Sequence, residues 1–242
     1  MTEHNDPRSA PAVNPALSVD APLFSRAAWA RILQFGAYIF FIILGDMLER
    51  TGIDRADLRW LYPVQIAAVA LLLAVNWRRY HELRTPLPNA AQLLVSIAVG
   101  VLVLILWINL DARWMTVGSS PGYDPRTNGE LDWLLIVIRI AGAALVVPVM
   151  EELFWRSFVM RWVDAADFEA LEPARVGIKG FLVSAVLFGF EHNLWLAGIV
   201  AGIAYSLLYM RHRTLWSAVL AHAVTNGLLG AWVVATGNWT FW

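Results

Sequence analysis

The chain contains no cysteine, and that absence alone removes disulfides, thiolate metal ligands and any cysteine nucleophile. Charge is scarce as well. Asp, Glu, Lys and Arg make up 15% of the 242 residues against 59% hydrophobic, and the mean hydropathy of +0.56 lies well outside the range of soluble globular domains. A bilayer is the natural solvent for such a composition. The net charge is only −1, so there is no support for nucleic-acid binding. Internal repeats are lacking too, which argues against the duplicated halves of an alternating-access transporter.

What is present is a series of apolar runs. Spanning a bilayer as a helix takes roughly 20 apolar residues, and seven stretches approach that length: Ala28–Leu44, Trp60–Trp77, Ala90–Leu110, Trp133–Val159, Ile178–Phe190, Leu194–Met210 and Leu215–Val234. The expected fold is therefore all-α, a polytopic membrane bundle of about seven transmembrane helices. Residues 1–27 are rich in Pro, Ala, Ser and Asp and lack an apolar run, so they read as a disordered cytoplasmic tail. No small-residue cleavage site follows the first apolar segment, so that segment is expected to stay in the mature protein. Residues 28–130 then form a set of N-terminal transmembrane helices and 131–242 a helical core. The tail and the loops around Arg78–Arg84, Arg161–Lys179 and Arg211–Arg213 hold about twice the basic residues of the intervening loops. Short basic loops stay in the cytoplasm, which places the N-terminus inside and Trp242 outside, in what would be a bacterial inner membrane. Trp60, Trp77, Trp114, Trp133, Trp162, Trp216 and Trp239 fall near span ends, where they serve as interfacial anchors.

Ionisable groups inside spans cost a few kcal/mol each on insertion scales, so each one is a functional hypothesis. The fourth span carries Glu151-Glu152-Leu153-Phe154-Trp155-Arg156, the fifth ends Phe188-Gly189-Phe190-Glu191-His192, and the seventh contains His222 and Asn226. Glu152 and Arg156 stand four apart with the acid N-terminal, the favourable order for an ion pair on one helix face. Glu151 is rotated about 100° away and has no partner in its own helix. An unpaired carboxyl in an apolar setting can act as a general base. His222 and Asn226 share a face and can hold a water or stabilise an oxyanion, although polar residues in spans also serve as packing contacts between helices. The fifth stretch is short and reads as a hairpin whose tip, with His192, stops within the membrane region, which requires protein or water around it. Glu191 reads as solvating that tip, and Arg139 as snorkelling outward or pairing with Asp132.

Glu151-Glu152-x-x-x-Arg156, Phe188-x-x-x-His192 and His222-x-x-x-Asn226, in that order on consecutive apolar segments, resemble the CPBP family of intramembrane proteases, which includes the type II CAAX prenyl endopeptidases. The likeness covers about Val147 to Leu229, and chain length and the preceding spans look most like an exosortase-associated bacterial branch. The resemblance implies a helical bundle with a cavity open to the cytoplasm. It also implies an intramembrane endopeptidase in which Glu151 and His192 activate water and His222 and Asn226 stabilise the oxyanion, with Glu152, Arg156 and Phe188 in support. Two mechanisms stay open: a zinc ion held by Glu151, His192 and His222, or a metal-independent glutamate mechanism. The partners implied are membrane lipids and a membrane-associated or lipid-anchored peptide. The alternative is a non-catalytic bacteriocin-immunity or scaffold protein of the same fold.

Overall fold

Seven helices stand where the seven apolar runs were read: α1 Arg26–Arg50, α2 Arg55–Arg79, α3 Ala90–Trp107, α4 Trp133–Trp162, α5 Ile178–Phe190, α6 Trp195–His212 and α7 Leu215–Thr236. The computed structural model describes residues 24–118, 120 and 122–242; most of the expected tail, residues 1–23, lies outside them. α1 to α4 and α7 are long and apolar enough to cross a membrane. α5 is 13 residues long, and α6 is 18 residues but less apolar. Among the described residues the sheet is confined to a two-stranded turn, Arg126–Thr127 against Glu130–Leu131. α1 runs past the expected Leu44 to Arg50, with Asp46 and Arg50 paired at 2.7 Å across its last turn.

Large apolar side chains cover the outside of the bundle: Phe40, Leu71, Val75, Leu94 and Leu102 are all more than half exposed. A protein surrounded by water would not leave so wide an apolar face open, and the chain is an integral multi-pass membrane protein. Inside, close approach depends on small residues. α5 and α6 form a hairpin in which a Cβ on Gly198 would lie 2.9 Å from the Gly189 backbone, and one on Gly202 would lie 3.0 Å from that of Ala185.

The two ends of the bundle differ chemically. At the basic-loop end a buried network ties α1, α4 and the α2–α3 loop together. Arg31 donates to both oxygens of Glu82, at 2.9 and 2.6 Å, and to Ser157 at 2.8 Å. Arg161 donates to the same Glu82 carboxylate. Burial alone would raise the Glu82 carboxyl, but Arg31, Arg161 and the Ser157 hydroxyl together hold it below its ordinary value. At the opposite end the α5–α6 tip is bound to the 111–118 segment through Asn193, which exchanges backbone and side-chain hydrogen bonds with Val117 at 2.8 and 2.9 Å. The C-terminus folds in beside it, with Tyr123 N–H donating to the Trp239 carbonyl at 3.2 Å.

Candidate active site

α4 is not a plain α-helix around its two glutamates. Gly142–Val146 and Leu153–Val159 are π-helical, flanking an α-helical turn Val147–Glu152. Pro148 accounts for the first distortion, because it has no N–H to donate and its ring crowds the preceding turn. Within this π-helical turn the Ala143 carbonyl, five residues before Pro148, accepts a hydrogen bond from Asn226 Nδ2 at 2.9 Å. A neighbouring helix thus satisfies a backbone group that lipid could not. This commits one of the two amide hydrogens of Asn226 and leaves the other for the cavity that the residue lines.

The acidic pair divides as its helical rotation suggested. Glu152, fully buried, accepts from Arg156 at 3.1 Å, and the Arg156 guanidinium lies 4.1 Å over the Phe188 ring. What the spacing could not reveal is that the same Glu152 oxygen also meets His222 Nδ1 at 2.9 Å. Since the carboxylate accepts, Nδ1 carries the hydrogen and Nε2 presents its lone pair. Nε2 stands 3.9 Å from Glu151 Oε2, too far for a direct hydrogen bond and suited to a bridging water. Glu151 Oε2 is buried without a protein partner. The His222 ring is held flat against Tyr205, 5.0 Å between centroids and 19° between planes. Tyr205 in turn donates to Thr225 at 2.8 Å.

His192 follows the same pattern on the hairpin tip. Its Nδ1–H donates to the Phe188 carbonyl at 2.8 Å, leaving Nε2 free, and its ring packs edge-on against Trp107. Glu151, His192, His222 and Asn226, from three elements, all line one cavity of about 180 Å³. Among the described residues no three His, Asp or Glu side chains converge closely enough to hold a metal ion, so the Glu151, His192 and His222 set named for zinc is not assembled in this conformation. The cavity also exposes residues the sequence reading passed over: Tyr38, Tyr62 and Tyr205 are aromatic residues in apolar helices, and nothing in their spacing distinguishes them from core.

Two expectations need correction. Glu191 does not solvate the tip; it accepts from the Trp155 indole N–H at 2.8 Å and is half-buried. Arg139 neither snorkels nor pairs with Asp132. It lies between two aromatic faces, 4.2 Å from the Tyr62 centroid and 4.8 Å from that of Tyr123, because the cavity gives its guanidinium a polar space inside the bundle.

A family model described as Type II CAAX prenyl endopeptidase Rce1-like matches residues 133–228. Over residues 133–228 the chain is similar to an Rce1-like domain. This domain begins at the first residue of α4 and ends just past Asn226, so it contains the two glutamates, Arg156, both histidines and the asparagine, and less than half of the chain. The Rce1-like family is one of intramembrane endopeptidases, and the residues that meet at the cavity lie in the matched segment, apart from the wall contributed by Tyr38, Tyr62, Trp107, Leu229, Phe241 and Trp242. No curated protein and no solved structure matches the chain.

Proposed function

We propose that the chain is an endopeptidase that hydrolyses a membrane-associated or lipid-anchored peptide with water activated between Glu151 and the histidines. The observation that supports this most is the buried, partnerless Glu151 Oε2 facing the lone-pair nitrogen of an oriented histidine across 3.9 Å. A water placed there would be hydrogen-bonded on both sides. In the first step the water oxygen attacks the peptide carbonyl carbon while its proton passes to Glu151, and the carbonyl π electrons move onto oxygen. In the second the tetrahedral centre collapses, the C–N bond breaks, and the proton goes to the departing amine.

The tautomer of His222 refines its role. With Nδ1–H on Glu152, neutral His222 offers the cavity only an acceptor, so it assists water first and donates to an oxyanion only after gaining a proton. Glu152 is placed to stabilise the resulting imidazolium, as a buried carboxylate does behind a catalytic histidine. Donors available from the start are the second amide hydrogen of Asn226 and the Tyr38 hydroxyl, which has no protein partner among the described residues. His192 Nε2 is a second acceptor for the attacking water. The steps above use only the side chains that line the cavity.

The decisive experiment is cleavage of a candidate membrane peptide, or complementation of a knockout, with folded Glu151→Gln protein. Turnover is expected to vanish while expression and folding persist, since the amide keeps the shape and removes the base. Full function from that variant would eliminate the peptidase and favour a non-catalytic immunity or scaffold role. Asn226→Ala should instead leave residual activity, lowered on the order of a hundredfold to a thousandfold as for the loss of one oxyanion donor.

A further inference from the structure

The catalytic cavity has a second chamber in front of it. An open vestibule of about 590 Å³ lies between α1, the start of α2 and the 122–126 segment, and Tyr62 and Arg139 line both spaces. They therefore form the passage between the two. None of the residues around either space comes from the basic loops at 78–84, 161–179 or 211–213; the vestibule is walled by Gly45 to Glu49, Asp54 to Arg59 and Gly122 to Arg126. The catalytic cavity is bounded on that side by Trp107 and Trp242. The lining of both spaces thus lies towards the end of the bundle opposite the basic loops.

Charge in the vestibule is unevenly matched. Glu49 pairs with Arg55, Asp124 with Arg126 and Asp46 with Arg50, while Asp54 caps the turn at Ala56. Two guanidinium groups have no carboxylate partner among the described residues. Arg59 donates only to backbone carbonyls and a threonine hydroxyl, and Arg139 rests on its two tyrosine rings. A half-buried arginine with its donors unused, at the throat of a site that would take peptides, matches a carboxylate in charge and geometry.

We propose that the substrate peptide enters from the end opposite the basic loops, through this vestibule, with one of its carboxylates seated on Arg139 at the passage into the catalytic cavity. This rests on the peptidase reading above. Arg139 and Glu151 are twelve positions apart on α4, about 18 Å along a helix axis, which an extended peptide covers in about five residues. The bond cut lies that far from the carboxylate, whether the carboxylate belongs to an acidic side chain or to the free end of the chain.

The test reads binding without turnover, using full-length Glu151→Gln protein in phosphatidylcholine nanodiscs. Three fluorescent peptides of one apolar sequence serve as probes: one with a glutamate and an amidated end, one with glutamine and a free C-terminal carboxylate, and one with glutamine and an amidated end. A carboxylate-bearing peptide is expected to bind about tenfold tighter than the neutral one, the scale of a charge-assisted hydrogen bond, and whichever does so identifies the source. Arg139→Gln in the same background should erase the preference, and Arg139→Lys should restore part of it. Equal binding of all three peptides, or a preference that Arg139→Gln leaves untouched, overturns the assignment.

The side of entry is read in the cysteine-free chain. Ala56→Cys, exposed in the vestibule, should label with an impermeant maleimide on intact cells and be protected by the preferred peptide, whereas Arg213→Cys should label only after permeabilisation. The reverse pattern overturns the entry side. Protection by phosphatidylglycerol in place of phosphatidylcholine, with none from peptide, would reassign the arginines to a lipid headgroup and overturn the proposal. Carboxylate-selective binding without cleavage by the wild-type protein would retain this site and remove the peptidase reading.

Discussion

Two groups of buried charges sit in this bundle, and they are finished differently. At the basic-loop end Glu82 has every oxygen engaged, by Arg31, Arg161 and Ser157. Around the cavity, Glu151 Oε2, Glu152 Oε2 and Arg156 Nε are buried without partners. Both networks carry the expense of charge in an apolar bundle. The first recovers it in fixed contacts between α1, α4 and the loop between α2 and α3, as a structural clamp would. The second leaves polar atoms open, and such orphans are tolerated where chemistry uses them. The difference separates a network closed on itself from one whose polar atoms are left open at the cavity.

That contrast breaks most sharply at Glu151 and Glu82. Glu151→Gln should abolish turnover and leave the thermal midpoint of detergent-solubilised protein unchanged or raised. Glu82→Gln should do the opposite, retaining kcat where folded while losing about 3–5 kcal/mol, because Arg161 would be left buried with no carboxylate and Arg31 with only the more distant Glu169, at 3.6 Å. Comparable activity loss in both variants would erase the distinction. A smaller effect is expected within the active-site network. Glu152→Gln and Arg156→Gln should each destabilise, and the double variant should recover about 0.5–3 kcal/mol of their sum, as for directly coupled neighbours. Strict additivity would mean the pair seen at 3.1 Å contributes nothing measurable.

The smallest effect is in pH. Glu82 is held below its ordinary value of 4.5 in the folded protein, so its contribution to stability is present in full above about that pH. It is lost as pH falls through the folded value. Thermal midpoints of the wild type should fall more steeply than those of Glu82→Gln between pH 5 and pH 3, roughly the window set by that shift. Parallel curves would show that the Glu82 carboxyl is not stabilised by its arginines.

Much of the architecture was legible because membrane helices announce themselves locally. An apolar run of bilayer length must satisfy its own backbone hydrogen bonds, so it folds as a helix whatever its neighbours do, and all seven helices lie on the runs read from the sequence. The division of labour between Glu151 and Glu152 was also local, set by 100° of helical rotation and the i,i+4 spacing to Arg156. Arg31 was not legible: it reads as a charge near the start of a span, and its partners Glu82 and Ser157 are 51 and 126 positions away.

Helix positions, apolar exteriors and the set of polar residues costly in a bilayer could therefore be read from the residues in order. The partners of those residues came from the packing of the helices. It brought His222 to Glu152 across 70 positions, set Asn226 on the Ala143 carbonyl, and placed Arg139 between the rings of Tyr62 and Tyr123 beside a cavity. The physical reason is that helix formation depends on contacts within a few residues, whereas burial, hydrogen-bond partners and access depend on which helix faces meet, and small residues such as Gly198 and Gly202 govern that meeting through packing that no single segment contains.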